Sequence, residues 1–426
     1  MGYWQEQLKV NKYGTHADRP LAGAVSDKTI YNETDTKTTF QAQSGAWVQI
    51  TSFDLSGSTF PTYPLTGQMF LHTPTGRKIL YQYDGSAWQP IKNHGSMTIY
   101  VDTTGTDDLN HGTATGTDAF LTIQYAINAI PPVLGGNVGM YIGAGTFTEN
   151  INFNGKLTGN NYSISVYGAL SSVATLIATG NGTQGATSTL ASFVQSGITT
   201  NAYQNKILKF TSGANDGTFR IIDSNDTTTI TLAGQSLPAQ PATNDTATVY
   251  DWGTIVTTTY STSGYGQLNI YFYGINFNGN FYNHMASWAY FGYCKHSSFH
   301  SLDQAKSSLV DCYVVNDGVG ITTLAQALIT GGKYSGSYNA IFAANNSIMA
   351  LLGGVVVDTA VYGIMGNMGS VIDTTPANVY NFIRNCSQIG VYCYQNAKAV
   401  GVANNQYSGN TGNTFADAAT FSFIAN

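Results

Sequence analysis

Short runs of apolar and β-branched residues, bounded by polar turns, recur along most of the chain. Met97-Thr98-Ile99-Tyr100-Val101-Asp102, Val138-Gly139-Met140-Tyr141-Ile142 and Gly145-Thr146-Phe147 are each of strand length. Ile270 to Phe277, Ser347 to Leu351 and Val355-Val356-Val357 continue the pattern, alternating around small residues and Asn, as half-buried strands do. One segment breaks it. Within 119–130, Phe120, Ile123, Ile127 and Ile130 fall at helical spacing, which predicts one short amphipathic helix, stopped by Pro131-Pro132.

The runs after residue 266 are periodic. Gly320-Ile321, Ala340-Ile341, Gly363-Ile364 and Gly390-Val391 follow one another at 20, 23 and 27 residues, the range of one coil of a parallel β-solenoid with loops of varying length. Asn at the coil corners tolerates left-handed dihedrals and can stack into ladders. Between 171 and 253 the signals change. Lys206–Phe210, Thr218–Ile222 and Thr228–Leu232 are strands joined by Asn215-Asp216-Gly217 and Ser224-Asn225-Asp226 turns, an antiparallel insertion in the solenoid.

Nearer the N-terminus a module repeats. Arg19-Pro20-Leu21-Ala22-Gly23 leads to Ser44-Gly45-Ala46-Trp47, and Tyr63-Pro64-Leu65-Thr66-Gly67 leads to Gly85-Ser86-Ala87-Trp88, with 27 and 24 residues from Pro to Trp. Each copy holds strands closing on its Trp, and Asp84-Gly85 is a hairpin signal. Too small to bury much alone, the copies should pack on their neighbours. The expected organisation is an attachment segment over 1–18, two tandem β-modules over 19–95, a cap helix and first coils over 96–170, the antiparallel insertion over 171–253, and the remaining solenoid with a C-terminal cap over 254–426.

Composition narrows the functional classes. Charged residues are 9% of the chain, against roughly 25% in an ordinary soluble domain. Glu occurs only as Glu6, Glu33 and Glu149, while Gly numbers 47; stacked β-structure with tight turns suits this better than a helical enzyme. The net charge of −6 and the lack of a basic run exclude a nucleic-acid groove. No apolar stretch is long enough for a membrane helix, and the first residues lack the pattern of a secretory signal. Cys294, Cys312, Cys386 and Cys393 form no metal-type spacing and read as small core hydrophobes. No P-loop, Gly-x-Ser-x-Gly elbow or His-Glu-x-x-His is present, and no cofactor is expected.

Two stretches resemble known families. The repeats resemble the small β-modules, closing on a "dG-x-W-v" phrase, near the N-termini of phage tail-fibre and receptor-binding proteins. Tyr100-Val101-Asp102, Phe120-Leu121-Thr122-Ile123-Gln124-Tyr125-Ala126-Ile127 and Gly145-Thr146-Phe147-Thr148-Glu149-Asn150-Ile151 resemble the opening of the pectin-lyase-like, right-handed parallel β-helix of phage tailspikes. There a helix covers the open end of the first coil, shielding its core and strand edges. The resemblance implies a virion appendage (tailspike, tail fibre or capsid spike) on the particle surface. It would be a homotrimer, joined to other virion proteins through its N-terminal region and contacting a glycan or protein of the host surface. The alternatives are a polysaccharide depolymerase on the same fold and an architectural decoration protein.

Candidate chemistry is sparse. Tailspike-like hydrolases use paired carboxylates, and after residue 260 the acids are Asp303, Asp311, Asp317, Asp358, Asp373 and Asp417. Asp311 and Asp317, flanking one strand, are the weak catalytic candidates; the favoured reading is structural, with Asp317-Gly318 a turn and Asp311 a solvated strand end. A lyase route would want an Arg, and Arg384 is the one Arg beyond Arg220. Asp102, Asp107 and Asp108 share a Gly/Thr/Asn loop that reads as Asx turns rather than a calcium site. The densest aromatic stretch, Phe281 to Tyr293, supplies the glycan-binding candidates Trp288, Tyr290, Tyr293 and Tyr282, since rings beside amides and hydroxyls suit sugar stacking; core packing is the competing reading for any one ring.

Overall fold

The computed structural model describes residues 11–416 and 423–424, apart from 26–28, 36–37, 53–54, 62–63, 65, 75–76, 94, 159–160, 184–190, 235, 258–259, 264–267, 285–287, 359 and 375–380. The two N-terminal repeats share one topology. In the first sheet Asn11–Gly14 pairs parallel to Ile30–Glu33, followed by antiparallel Thr38–Gln43 and Ala46–Ser52. In the second, Leu55–Gly57 pairs parallel to Met69–His72, followed by antiparallel Ile79–Tyr83 and Trp88–Asn93. The first sheet thus begins inside the 1–18 stretch. Trp47 closes its module by donating to the Pro20 carbonyl, and Trp88 stacks on Phe60. Arg77 reaches from the second module to the carbonyls of Leu109 and His111, tying it to the solenoid.

The solenoid is a three-faced parallel β-helix. Its first face has eleven strands, from Met97–Val101 at one end to Phe423–Ile424 at the other, all parallel. The second and third faces share a fifteen-stranded sheet, because long strands such as Ile275–His284 and Tyr313–Ile321 bend from one face to the next. Alternation in each strand becomes columns inside the coil. Ile99, Met140, Val166, Phe272, Phe291, Leu309, Ile329 and Leu351 are successive register partners and all buried. Phe281 stacks on Phe299 at 5.5 Å. The four cysteines are free thiols in this core. The coil step seen in the sequence holds, but the equivalent positions are Val319, Ile341, Ile364 and Val391, giving steps of 22, 23 and 27 residues. Gly320-Ile321 lies two residues out of register with Ala340-Ile341, because Ile321 pairs with Ala343.

The helix is Ile123–Ala129, shorter than the predicted 119–130. Phe120 is extended instead, its N–H donating to the Tyr100 carbonyl in a bridge beside Val101, so the helix begins only after Thr122. Phe120, Ile123, Ile127 and Ile130 are all buried over the first coil, as the spacing requires. Its first N–H groups are fully served. The Thr122 side chain accepts from Tyr125 N, and Glu149 accepts from Ile123 N and Gln124 N, both at 2.8 Å.

The insertion is a seven-stranded antiparallel sheet. Leu170–Ile177 lies at one edge and Gly180–Thr183 at the other. Only two residues separate them, so one bent strand joins both edges and the sheet wraps into a small barrel. Phe193, Leu208, Phe210, Ile222, Ile230 and Val249 belong to its own core.

Candidate functional site

Outward side chains of the first face form an aromatic surface. Tyr100, Tyr141, Tyr167 and Tyr273 occupy one register column, with ring centroids 5.6, 4.9 and 5.1 Å apart and nearly parallel planes. Coils rise by about 4.8 Å, so identical side chains at one position must stack. The next column adds Tyr271 beside Tyr290, and Trp288 meets Tyr271 edge-on at 5.0 Å. Tyr290 also leans on Tyr273 at 5.6 Å. Most of these rings are half-buried, and Tyr141 is exposed. Partial burial pushes the Tyr273 hydroxyl up to about 12 and raises that of Tyr290 as well, so the surface stays neutral. Two sequence candidates, Trp288 and Tyr290, therefore come together. The four stacked tyrosines were missed, although each follows a buried residue in its strand (Ile99, Met140, Val166, Phe272); only the register reveals that they align.

The other two aromatic candidates lie elsewhere. Tyr282 is on the third face, stacked on His300 at 5.1 Å and near His284. Tyr293 sits at the corner between the first and second faces, under the insertion. Phe219 stacks on it at 4.2 Å, and Trp252 donates to its carbonyl.

Asp311 occupies the same corner one coil on. Gly274, Tyr293, Asp311 and Gly331 all have positive φ, and each N–H donates to a carbonyl of the next coil. The Asp311 carboxylate is buried and ion-paired with Arg220 of the insertion at 3.1 Å, while its Oδ1 has no hydrogen-bond partner. Burial pushes the carboxyl up to about 6, against the pull of the Arg220 guanidinium. A Cβ on Gly234 or Gly331 would meet Asp311 Oδ1 at 2.6 or 2.3 Å, so both positions need glycine for the two bodies to approach. Asp317 lies on the bent strand Tyr313–Ile321; its side chain is outside the described residues.

A cluster of charges crosses the same seam. Asp223 of the insertion contacts Lys333 at 3.2 Å and Arg384 at 2.5 Å, and Asp358 contacts them at 3.7 and 3.1 Å. Asp223 was not a sequence candidate; nothing in the chain order brings residue 223 to 384. Beside the cluster, Ile207, Ile221, Ala233 and Trp252 pack with Val356 of the solenoid.

The loop acids are absorbed by the backbone. Asp102 accepts from Thr104, Asp108 from Asn110 and His111, and Asp107 from Leu121 and Thr122. Among the described residues, no group of three His, Cys, Asp or Glu side chains is placed to hold a metal ion, and no helix is long and apolar enough to cross a membrane.

No protein-family profile and no curated protein matches the chain. Two of the solved structures to which the chain bears a distant similarity are tailspikes. The Gp54 tailspike of Acinetobacter baumannii bacteriophage AP22, in complex with A. baumannii capsular saccharide, is 10% identical, with a TM-score of 0.20 over 65% of this chain and 53% of that one. The tailspike protein gp49 from Pseudomonas phage LKA1 is also 10% identical, with a TM-score of 0.19 over 78% of this chain and 67% of that one. The chain thus spans about half the length of the first of these.

Proposed function

We propose that this protein is a virion appendage that recognises a glycan of the host surface through the aromatic part of its first face. The carrying observation is the continuous array of Tyr100, Tyr141, Tyr167 and Tyr273 with Tyr271, Tyr290 and Trp288. The stacked rings cover one another's faces, so the array offers successive sugar units its ring edges and hydroxyls, at little entropic cost because the coil already orders them. The N-terminal modules attach the chain to other virion proteins. The enclosure of Asp311 beneath the insertion favours binding over cleavage. The test is binding of the purified protein to host cells. Trp288→Ala combined with Tyr290→Ala should weaken it by about tenfold, equivalent to about 1.4 kcal/mol, with an unchanged melting temperature. Undiminished binding refutes the first-face site, and release of reducing ends from host polysaccharide would replace the reading with a depolymerase.

Three such chains assemble in this reading. Leu328 and Ile348 lie outward on the C-terminal half of the first face, with Leu324 and Met368 at its corner, and all four are exposed. Apolar surface of this kind calls for cover, and cyclic symmetry supplies it without an open fibre.

A further inference from the structure

The four rings of the tyrosine column are not equivalent. Tyr141 and Tyr167 have the shortest centroid separation, 4.9 Å, with planes 16° apart. Tyr100 stands farther off, 5.6 Å from Tyr141. Tyr273 lies 5.1 Å from Tyr167 but is also flanked by Tyr290 at 5.6 Å and Tyr293 at 6.0 Å. The strands Val138–Ile142 and Ile164–Gly168 are in register over all five residues, so the two phenols project side by side from neighbouring coils.

Room to move also sets this pair apart. The neighbouring outward position of each strand holds Gly139 beside Tyr141 and Ser165 beside Tyr167, where the next coil has Tyr271. A Cβ on Gly139 would stand 3.4 Å from the Tyr141 ring, so a larger side chain there confines the ring and glycine leaves it space. The χ2 torsion of a tyrosine is broad. Turning about it brings ring edges, with the carbons ortho to the hydroxyls, toward each other. Tyr141 is 44% exposed, so a dissolved oxidant reaches it.

We propose that Tyr141 and Tyr167 form a modification site, a pair that one-electron oxidation couples into a dityrosine bracing the first coils. The oxidant is hydrogen peroxide acting through a haem peroxidase. Each phenol gives up one electron and its hydroxyl proton, and the peroxide is reduced to water. The two phenoxyl radicals join through one ortho carbon of each ring. The hydrogens on those carbons move to the oxygens, which restores both phenols. The chain loses two hydrogens and gains one carbon–carbon bond. Like a disulfide, the bond constrains the unfolded chain and so stabilises the folded one. This site is independent of what the aromatic surface binds.

The test treats dilute full-length protein with hydrogen peroxide and a haem peroxidase, then reads intact mass, dityrosine fluorescence and linked proteolytic peptides. The expected result is a loss of two hydrogens within single chains, a peptide joining Tyr141 to Tyr167 as the principal link, and a raised melting temperature. Tyr167→Phe keeps the ring and its stacking and should abolish that link. Gly139→Val keeps both phenols, crowds the Tyr141 ring and should lower the yield. Absence of the linked peptide from the wild type overturns the assignment, as do links chiefly between chains or at other tyrosine pairs. Undiminished fluorescence in Tyr167→Phe, or a full yield in Gly139→Val, does so too. An unchanged melting temperature after coupling overturns the bracing role.

Discussion

At the scale of single residues, the most informative position is Asp311. Read as a sequence it is a weak catalytic candidate; in the fold it is a buried anchor for Arg220. The two partners are not equivalent. Removing Arg220 strands a carboxylate in the interior, so Arg220→Met should cost about 3–5 kcal/mol in denaturant unfolding. Asp311→Asn keeps the shape and removes the charge. Because the folded carboxyl titrates near 6 and the free one near 3.8, the folded chain holds a proton through that window that the unfolded chain has released. Stability from this group is therefore full below about pH 4 and falls as pH rises through 6. Whatever its sign at pH 4, the stability difference between Asp311→Asn and wild type should shift toward the variant by about 2 kcal/mol between pH 4 and pH 7; a flat difference across that range would refute the assignment. Host-cell binding should survive both Asp311→Asn and Asp317→Asn.

At the scale of elements, the solenoid rests on corners that single residues would avoid. Asp303-Gln304, Thr323-Leu324, Asn345-Asn346, Met368-Gly369 and Gln395-Asn396 are all pairs with positive φ. Each second residue of the first four pairs donates its N–H to the first residue of the pair in the next coil. Stacking makes the left-handed turn shared, and even β-branched Thr323 at φ 58 is held there. Asn relaxes that strain, so Thr323→Asn should raise stability by about 0.5–1 kcal/mol in thermal or chemical unfolding. The cap helix makes the opposite case. It has seven residues and would not persist alone; Glu149, from the strand side, serves two of its N–H groups. Glu149→Ala should cost about 1–2 kcal/mol and loosen the first coil, seen as faster amide exchange over 123–129.

At the scale of the whole molecule, the first face divides into an aromatic N-terminal half and an aliphatic C-terminal half. If the aliphatic half joins three copies, light scattering of the purified protein should give three times 45.4 kDa. Leu328→Lys with Ile348→Lys should then return the mass to 45.4 kDa without unfolding the coil. A wild-type monomer at micromolar concentration would remove the trimer from the proposal.

The sequence by itself determined the coil, its cap and the modules, because each rests on local rules. Alternation defines a strand, the spacing of Phe120, Ile123, Ile127 and Ile130 defines a helix face, and a coil step of 20–27 residues defines stacking. Even there the exact register escaped, since a two-residue slip at Gly320 leaves the inward and outward alternation unchanged. Only the tertiary structure decided which side chains act together. Tyr100, Tyr141, Tyr167 and Tyr273 are far apart in the chain and adjacent only because four coils stack in register. Asp223 meets Arg384 across 161 residues because the insertion folds back onto the second face. Local propensity carries no information about where such a barrel docks; burial of Val356, Trp252 and Ile221 together, with a balanced set of charges around them, settles it.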